Sequence, residues 1–205
     1  MRQAILTAEP FAEAAKTAAV GPGERQRALA VILLGFATDP IARWVWPDAA
    51  DYLRWMPRFN AAFSGAALDA GTADLTGCGR AAAFWLPPGI HSDSDALEAL
   101  FAESIPARRR GEVDAFVGQM EKFHPDEPCW HLTQIAAEVE ARGRGLGSAL
   151  LAAGLRRCDA EGAAAYLESS NPMNLPLYRQ FGFEMVGEIQ AGSSPVMHPM
   201  LRRAR

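Results

Sequence analysis

The sequence predicts a single α/β domain, a mixed sheet with helices on both faces. Three observations carry that prediction. Residues 130–161 read as a strand, a glycine-rich turn and a helix. Strand-like and helix-like stretches succeed one another in the order β, α, α, β, β, α, α, β-loop-α, β, α, β, without an internal repeat. And 205 residues, 49% hydrophobic and 21% charged, suffice for one well-buried core while leaving two full domains short of material.

In chain order, residues 1–16 are Ala-rich and read as an extension, so the domain is expected over residues 17–205. Residues 17–20 suit a first strand. Gly21-Pro22-Gly23 breaks it before a helix over residues 24–36, whose apolar side carries Ala28, Val31, Ile32 and Leu33. The turn from Asp39 to Asp48 is rich in aromatics between prolines. Trp44 and Trp46 there either plug the core or line a pocket for a small molecule, since such pockets are mostly apolar. A helix over residues 49–63 presents Tyr52, Trp55, Met56 and Phe59 at spacings of three and four, a stripe read as core. Residues 66–75 and 80–86 read as two strands joined across Thr76-Gly77-Cys78-Gly79, the second lying centrally in the sheet. Two helices follow, over residues 95–104 and 108–123, the latter with Val113, Phe116, Val117 and Met120 inward.

Residues 142–147, Arg-Gly-Arg-Gly-Leu-Gly, place backbone N–H groups on a nearly side-chain-free turn where a helix starts and its first four donors lack partners. That arrangement cradles phosphate. On the following helix Leu146, Gly147, Leu150, Leu151, Gly154, Leu155 and Cys158 share one face, opposite Ser148, Arg156 and Asp159. Glycines on the apolar face let the helix approach a sheet closely. No Lys-Ser or Lys-Thr follows, which excludes a Walker A loop, and Gly143-x-Gly145-x-Gly147 lacks the spacing of a dinucleotide fingerprint. The pattern left is R-x-x-G-x-G, carried by Arg142, Gly145 and Gly147.

Composition narrows the function classes. A formal charge of -4 and a pI near 5.6 argue against non-specific nucleic-acid binding, and the basic runs 108–110 and 201–205 read as solvated faces. Cys78, Cys129 and Cys158 are odd in number and form no C-x-x-C pair, so no disulfide framework and no metal site is expected, and a reducing cytoplasm fits. No run of about 18 apolar residues suggests a membrane span, and Glu9 and Glu13 interrupt any signal-peptide core.

The R-x-x-G-x-G spacing resembles the pyrophosphate loop, Q/R-x-x-G-x-G/A, of the GNAT superfamily of acetyl-CoA-dependent N-acetyltransferases. A second block, residues 166–183 (YLESSNPMNLPLYRQFGF), is similar to the strand, short helix and closing strand that follow the loop in that family. Asp39-Pro40, Phe84-Trp85-Leu86-Pro87-Pro88, His124 to Leu132, and Leu167-Glu168-x-Ser170 through Asn174-x-Pro176-x-Tyr178 resemble the puromycin N-acetyltransferase group more narrowly. Ala137-Glu138-Val139 departs from the V-x-P turn frequent in relatives.

The resemblance implies a GNAT fold with a splayed central strand pair and acetyl-CoA as cosubstrate. It implies transfer to a primary amine of a small molecule by direct attack in a ternary complex. Main-chain groups of Ile135, Ala136 and Ala137 would meet the pantetheine and thioester. Arg142, Gly143, Arg144, Gly145, Leu146, Gly147 and Ser148 would hold the pyrophosphate, with the two arginine side chains adding charge. Tyr178 occupies the position of the general acid. Asn174 would bond the pantetheine or cap a helix. The base is open between His131, Glu168, His198 and a water. The family likeness admits an aminonucleoside acceptor and, because dimers are common there, a homodimer. Two other readings stand beside it: a protein or peptide amine acetyltransferase, and a non-catalytic CoA-binding sensor.

Overall fold

The computed structural model describes residues 15–205, so the expected extension lies almost wholly outside the described residues. Strand β1 spans Thr17–Ala19, and a 3-10 turn at Pro22–Glu24 leads into α1, Arg25–Gly35. Helices α2 (Pro40–Val45) and α3 (Ala49–Asp69) precede the hairpin of β2 (Ala73–Thr76) and β3 (Ala81–Leu86). Helices α4 (Ser94–Ser104) and α5 (Ala107–Phe123) then lead to β4, Cys129–Ala137. A 3-10 turn (Val139–Ala141), α6 (Leu146–Ala160), β5 (Ala164–Ser169), α7 (Leu175–Gln180), β6 (Glu184–Met185) and β7 (His198–Arg202) complete the chain.

Among the described residues the strands form one mixed sheet in the order β1-β2-β3-β4-β5-β7-β6. Only the β4–β5 pair is parallel. On one face α6 buries Leu146, Leu150, Leu151 and Leu155 against Trp85, Trp130, Leu132, Leu167 and Met200. On the other, Ala28, Val31 and Ile32 of α1 and Ala67 of α3 cover Ala82, Phe84 and Leu86. Residues 82, 84 and 86 alternate with 81, 83 and 85 because successive strand side chains point to opposite faces. Gly154 behaves as the sequence predicts: a Cβ there would sit 2.3 Å from the buried Trp85 indole, so its absence sets the distance of α6 from the sheet.

Two expectations are corrected. The strand predicted over residues 66–75 is helix as far as Asp69, because the alanines after Phe63 continue α3; Gly71, at φ +70°, ends it, and only Ala73–Thr76 pair as strand. The basic runs are not simply solvated. Arg109 donates to the carbonyls of Trp44 and Val45, and Arg110 to those of Ala102 and Ile105. Arg202 is buried and grips Asp159 with both terminal nitrogens, at 2.7 and 2.9 Å. No helix among the described residues is long and apolar enough to cross a membrane.

Candidate active site

The sheet opens at its centre. β4 pairs with β3 along nearly its whole length but with β5 only through Cys129, Trp130 and His131, so beyond His131 the parallel strands diverge. A bulge opposite Phe84 and Trp85 leaves Thr133 unmatched and marks where the divergence starts. The register then decides which main-chain groups face the opening. Glu138 N–H donates to Arg80 O at 2.9 Å, and partners alternate along an antiparallel ladder. Ala136 is therefore bonded to Ala82, whereas Ile135 and Ala137 turn their N–H and C=O away from β3. Of the three residues the sequence points to, two present polar main chain to the cleft.

The glycine loop closes one end. Gly143 and Gly145 stand at φ +73° and +77°, a region that favours glycine, and a Cβ at either would meet open space. Arg142 N–H donates to Val139 O at 3.3 Å, but the N–H groups of residues 143–148 donate to no acceptor among the described residues. With the positive end of α6 behind them, they form a ready anion site. Arg142 is partly a correction, for its side chain donates back to Gly35 O at 2.9 Å and Ala137 O at 3.4 Å and so clamps α1 to β4.

A cavity of about 630 Å³ runs from this loop along Leu132–Ala137 to Glu168, Asn174 and Tyr178. Tyr178 is buried beside Phe183, and burial, reinforced by the negative charge of Asp39, raises its phenol above the ordinary tyrosine range. Asn174 stands at the N-cap position of α7 with helical backbone angles and no side-chain cap bond, while Asn171 caps the preceding 3-10 turn (Pro172–Asn174) by accepting from Met173 N–H. A long cavity with main-chain donors at the loop and an apolar wall is thus in place.

The candidate bases come together. His131 Nε2 lies 2.8 Å from Glu168 Oε2 in a buried, charge-assisted bond, and His131 packs among the rings of Phe63, His124 and Tyr166. Glu168 lines the cavity, whereas His131 stands behind it. His198 pairs with Ser169 and so faces the α6 side, away from Glu168. Cys129 is not among the residues lining this cavity; burial and then the Glu168 charge push its thiol up to about 11.

A second cavity of about 150 Å³ lies on the α2 side of the first, walled by Trp44, Trp46, Phe59, Phe63, Phe101 and Phe116. Trp46 is buried in the core and also lines this space. The two cavities share Phe36, Asp39, Thr133, Gln134, Glu168 and Ser170.

Sequence reasoning missed two members of that shared wall. Asp39 caps α2 by accepting from Ile41 and Ala42 N–H at 3.0 Å, and its other oxygen accepts from Ser170 Oγ. Burial raises its carboxyl above the usual range. The Asp-Pro pair signalled the cap, but contact with a serine 131 residues away left no local trace. Gln134 donates to Asn60 Oδ1 at 2.8 Å, and its own Oε1 is buried without a partner.

Comparison with known proteins points the same way. An uncharacterized N-acetyltransferase from Schizosaccharomyces pombe is 29% identical over 91 residues, 44% of this chain, and the chain spans 34% of the length of that curated relative. A Corynebacterium glutamicum structure, described as histone acetyltransferase HPA2 and related acetyltransferase, is 25% identical with a TM-score of 0.66, over 93% of this chain and 96% of that one. The fold is shared with the Drosophila melanogaster polyamine N acetyltransferase (TM-score 0.63, 16% identity, 92% and 99% coverage). It is shared too with arylalkylamine N-acetyltransferase 2 from Aedes aegypti (0.66, 10%, 93% and 99%). The model of the acetyltransferase (GNAT) family matches residues 39–183, which span the cap of α2, the divergent strands, the glycine loop and Tyr178, and the chain belongs to that family.

Proposed function

We propose that this protein transfers acetyl from acetyl-CoA to a primary amine of a small molecule, by direct attack without an acyl-enzyme. The observation that carries the reading is the row of unpartnered N–H groups over residues 143–148, set in the wall of the same cavity that Tyr178 lines. The bound thioester would supply the acyl group and a thiolate leaving group.

Each residue then has a task. The loop amides and the start of α6 hold the diphosphate. The main-chain groups of Ile135 and the N–H of Ala137 align the pantetheine, with the Asn174 amide lining the same cavity, and a main-chain N–H at the divergence polarises the thioester carbonyl. Glu168 accepts the proton of the incoming amine while His131 fixes its orientation. Tyr178 keeps its proton throughout the neutral range, because burial disfavours the phenolate, and gives it to the departing sulfur. Asp39, held by Ser170, adds negative charge beside the same junction, where an ammonium would approach. Cys129, a thiol far above neutral pH and outside the cavity walls, is unsuited to a covalent relay.

Neighbours named for polyamines, agmatine and arylalkylamines, and the motifs resembling puromycin N-acetyltransferases, support a small amine as acceptor. So do the aromatic and aliphatic walls of the 150 Å³ cavity, which suit a small apolar acceptor. Cys78, Cys129 and Cys158 are all free, in keeping with a reducing compartment.

The test is a panel of amines assayed for acetyl-CoA-dependent thiol release, repeated with Tyr178→Phe. The expected result is turnover with at least one amine, lowered by about 10²-fold or more in the variant at unchanged CoA affinity. A protein that binds CoA and turns over no amine is a sensor, and the reading is wrong.

A further inference from the structure

The 150 Å³ cavity is of the size that holds one benzene-sized ring, and its walls are aromatic and aliphatic apart from the junction with the larger cavity. Trp46 stacks over Phe101 with ring centroids 6.4 Å apart, Phe59 over Phe63 at 5.0 Å, and Trp46 meets Phe59 edge-on at 5.9 Å. These rings offer faces and edges to another ring. Every charged group lining the space stands at the junction, where Asp39 and Glu168 belong to both cavities.

The geometry points to a specific acceptor class: a primary amine on a short alkyl arm from one six-membered aromatic ring. The ring fills the aromatic cavity. The nitrogen reaches the junction, where its cation faces Asp39 and Glu168, and deprotonation by Glu168 leaves the lone pair towards the thioester. A diamine or guanidino-amine would bury its second cation among Trp44, Phe101 and Phe116, where no carboxylate lines the wall, at a heavy desolvation cost. A two-ring amine exceeds the volume. This assignment rests on the acetyl-transfer reading above and adds the acceptor to it.

The experiment compares kcat/KM of the full chain, with saturating acetyl-CoA, for 2-phenylethylamine, 2-(1-naphthyl)ethylamine, agmatine and spermidine. The single-ring amine is expected to lead the other three by about tenfold or more. Val117→Phe, which adds a ring to the cavity wall, is expected to raise KM for 2-phenylethylamine by about tenfold, with CoA affinity within about twofold of the parent. Preference for agmatine, spermidine or the naphthyl amine, or an unchanged KM in a folded Val117→Phe protein that still binds CoA, overturns the acceptor assignment and leaves acetyl transfer standing. Saturable CoA binding with no turnover of any amine overturns both.

Discussion

Gly35→Ala adds one methyl at the end of α1, where the helix presses on the strand that borders the cleft. The new Cβ would lie 2.4 Å from Ala136 Cβ and 3.5 Å from both Ala136 Cα and Ala137 O. Two methyl carbons settle at about 3.5–4.0 Å, so helix and strand must part by roughly 1.1–1.6 Å. Neither Cβ can rotate away, because each is fixed to its backbone, and the displacement falls on the main chain of β4. Ile135 and Ala137, whose main-chain groups turn away from β3 towards the opening, flank the point of contact. Overpacking of this kind costs about 1–3 kcal/mol, offset by less than about 1 kcal/mol of helix propensity at the last residue of α1. The net loss, about 1–2 kcal/mol, lowers Tm by roughly 2–8 °C in a chain of this size. Misplacing the reacting groups by about 1 Å lowers kcat by up to about 10²-fold. Calorimetry and steady-state thiol release read the two effects. Gly65→Ala is the control: it lies inside α3 with open space around its Cβ position, and it is expected to gain about 0.5–1 kcal/mol. A Gly35→Ala protein that melts and turns over like the parent refutes the argument that this contact sets the position of β4.

Other outcomes follow from the same structure. Gly154→Ala drives a methyl to 2.3 Å from the Trp85 indole and is expected to lower stability by about 1–3 kcal/mol in thermal melts, despite the better helix former; a rise in Tm contradicts the packing of α6. Glu168→Gln retains the shape of the wall but loses the proton acceptor, so kcat is expected to fall by about 10²-fold or more while CoA affinity holds; full turnover excludes Glu168 as base. Burial raises Cys129 to about 11 and Cys158 to about 12, and lifts Tyr52, Tyr166 and Tyr178 above their ordinary range. The unfolded chain gives up these protons first, from about pH 8.5 for the thiols and about pH 10 for the phenols. The stability they contribute is therefore complete below about pH 8.5 and lost as pH rises through the folded values. Melts from pH 7 to 11 should show a falling Tm, and a flat or rising one contradicts the sign.

How much was readable in advance follows the range of each interaction. The glycine loop, the face of α6 and the strand before it were legible because periodicity and missing side chains are local, and Gly154 even announced a close contact, though not that Trp85 makes it. The end of α3 was misjudged because Ala66, Ala67 and Leu68 suit either state, and the decision rests on the packing of Ala67 against Leu75 and Phe84. The place of β7 depends on a pairing with β5 that no neighbouring residue encodes. In the site, Tyr178, Glu168 and His131 could be named from motifs, but not that His131 backs Glu168 from outside the cavity. Asp39 with Ser170 and Gln134 with Asn60 join positions 131 and 74 residues apart, and in the chain they look like an ordinary cap and an ordinary polar strand residue. Arg109 and Arg202 looked solvated because charge alone does not reveal which carbonyl or carboxylate a guanidinium will reach.

The central claim is that main-chain N–H groups over residues 143–148 grip the coenzyme diphosphate, and amide resonances followed during a titration with coenzyme A test it most directly. The account predicts saturable shifts of the Gly143, Gly145, Gly147 and Ser148 amides, displaced by excess inorganic pyrophosphate. Saturation of the protein with coenzyme A while those amides stay where they were would contradict it.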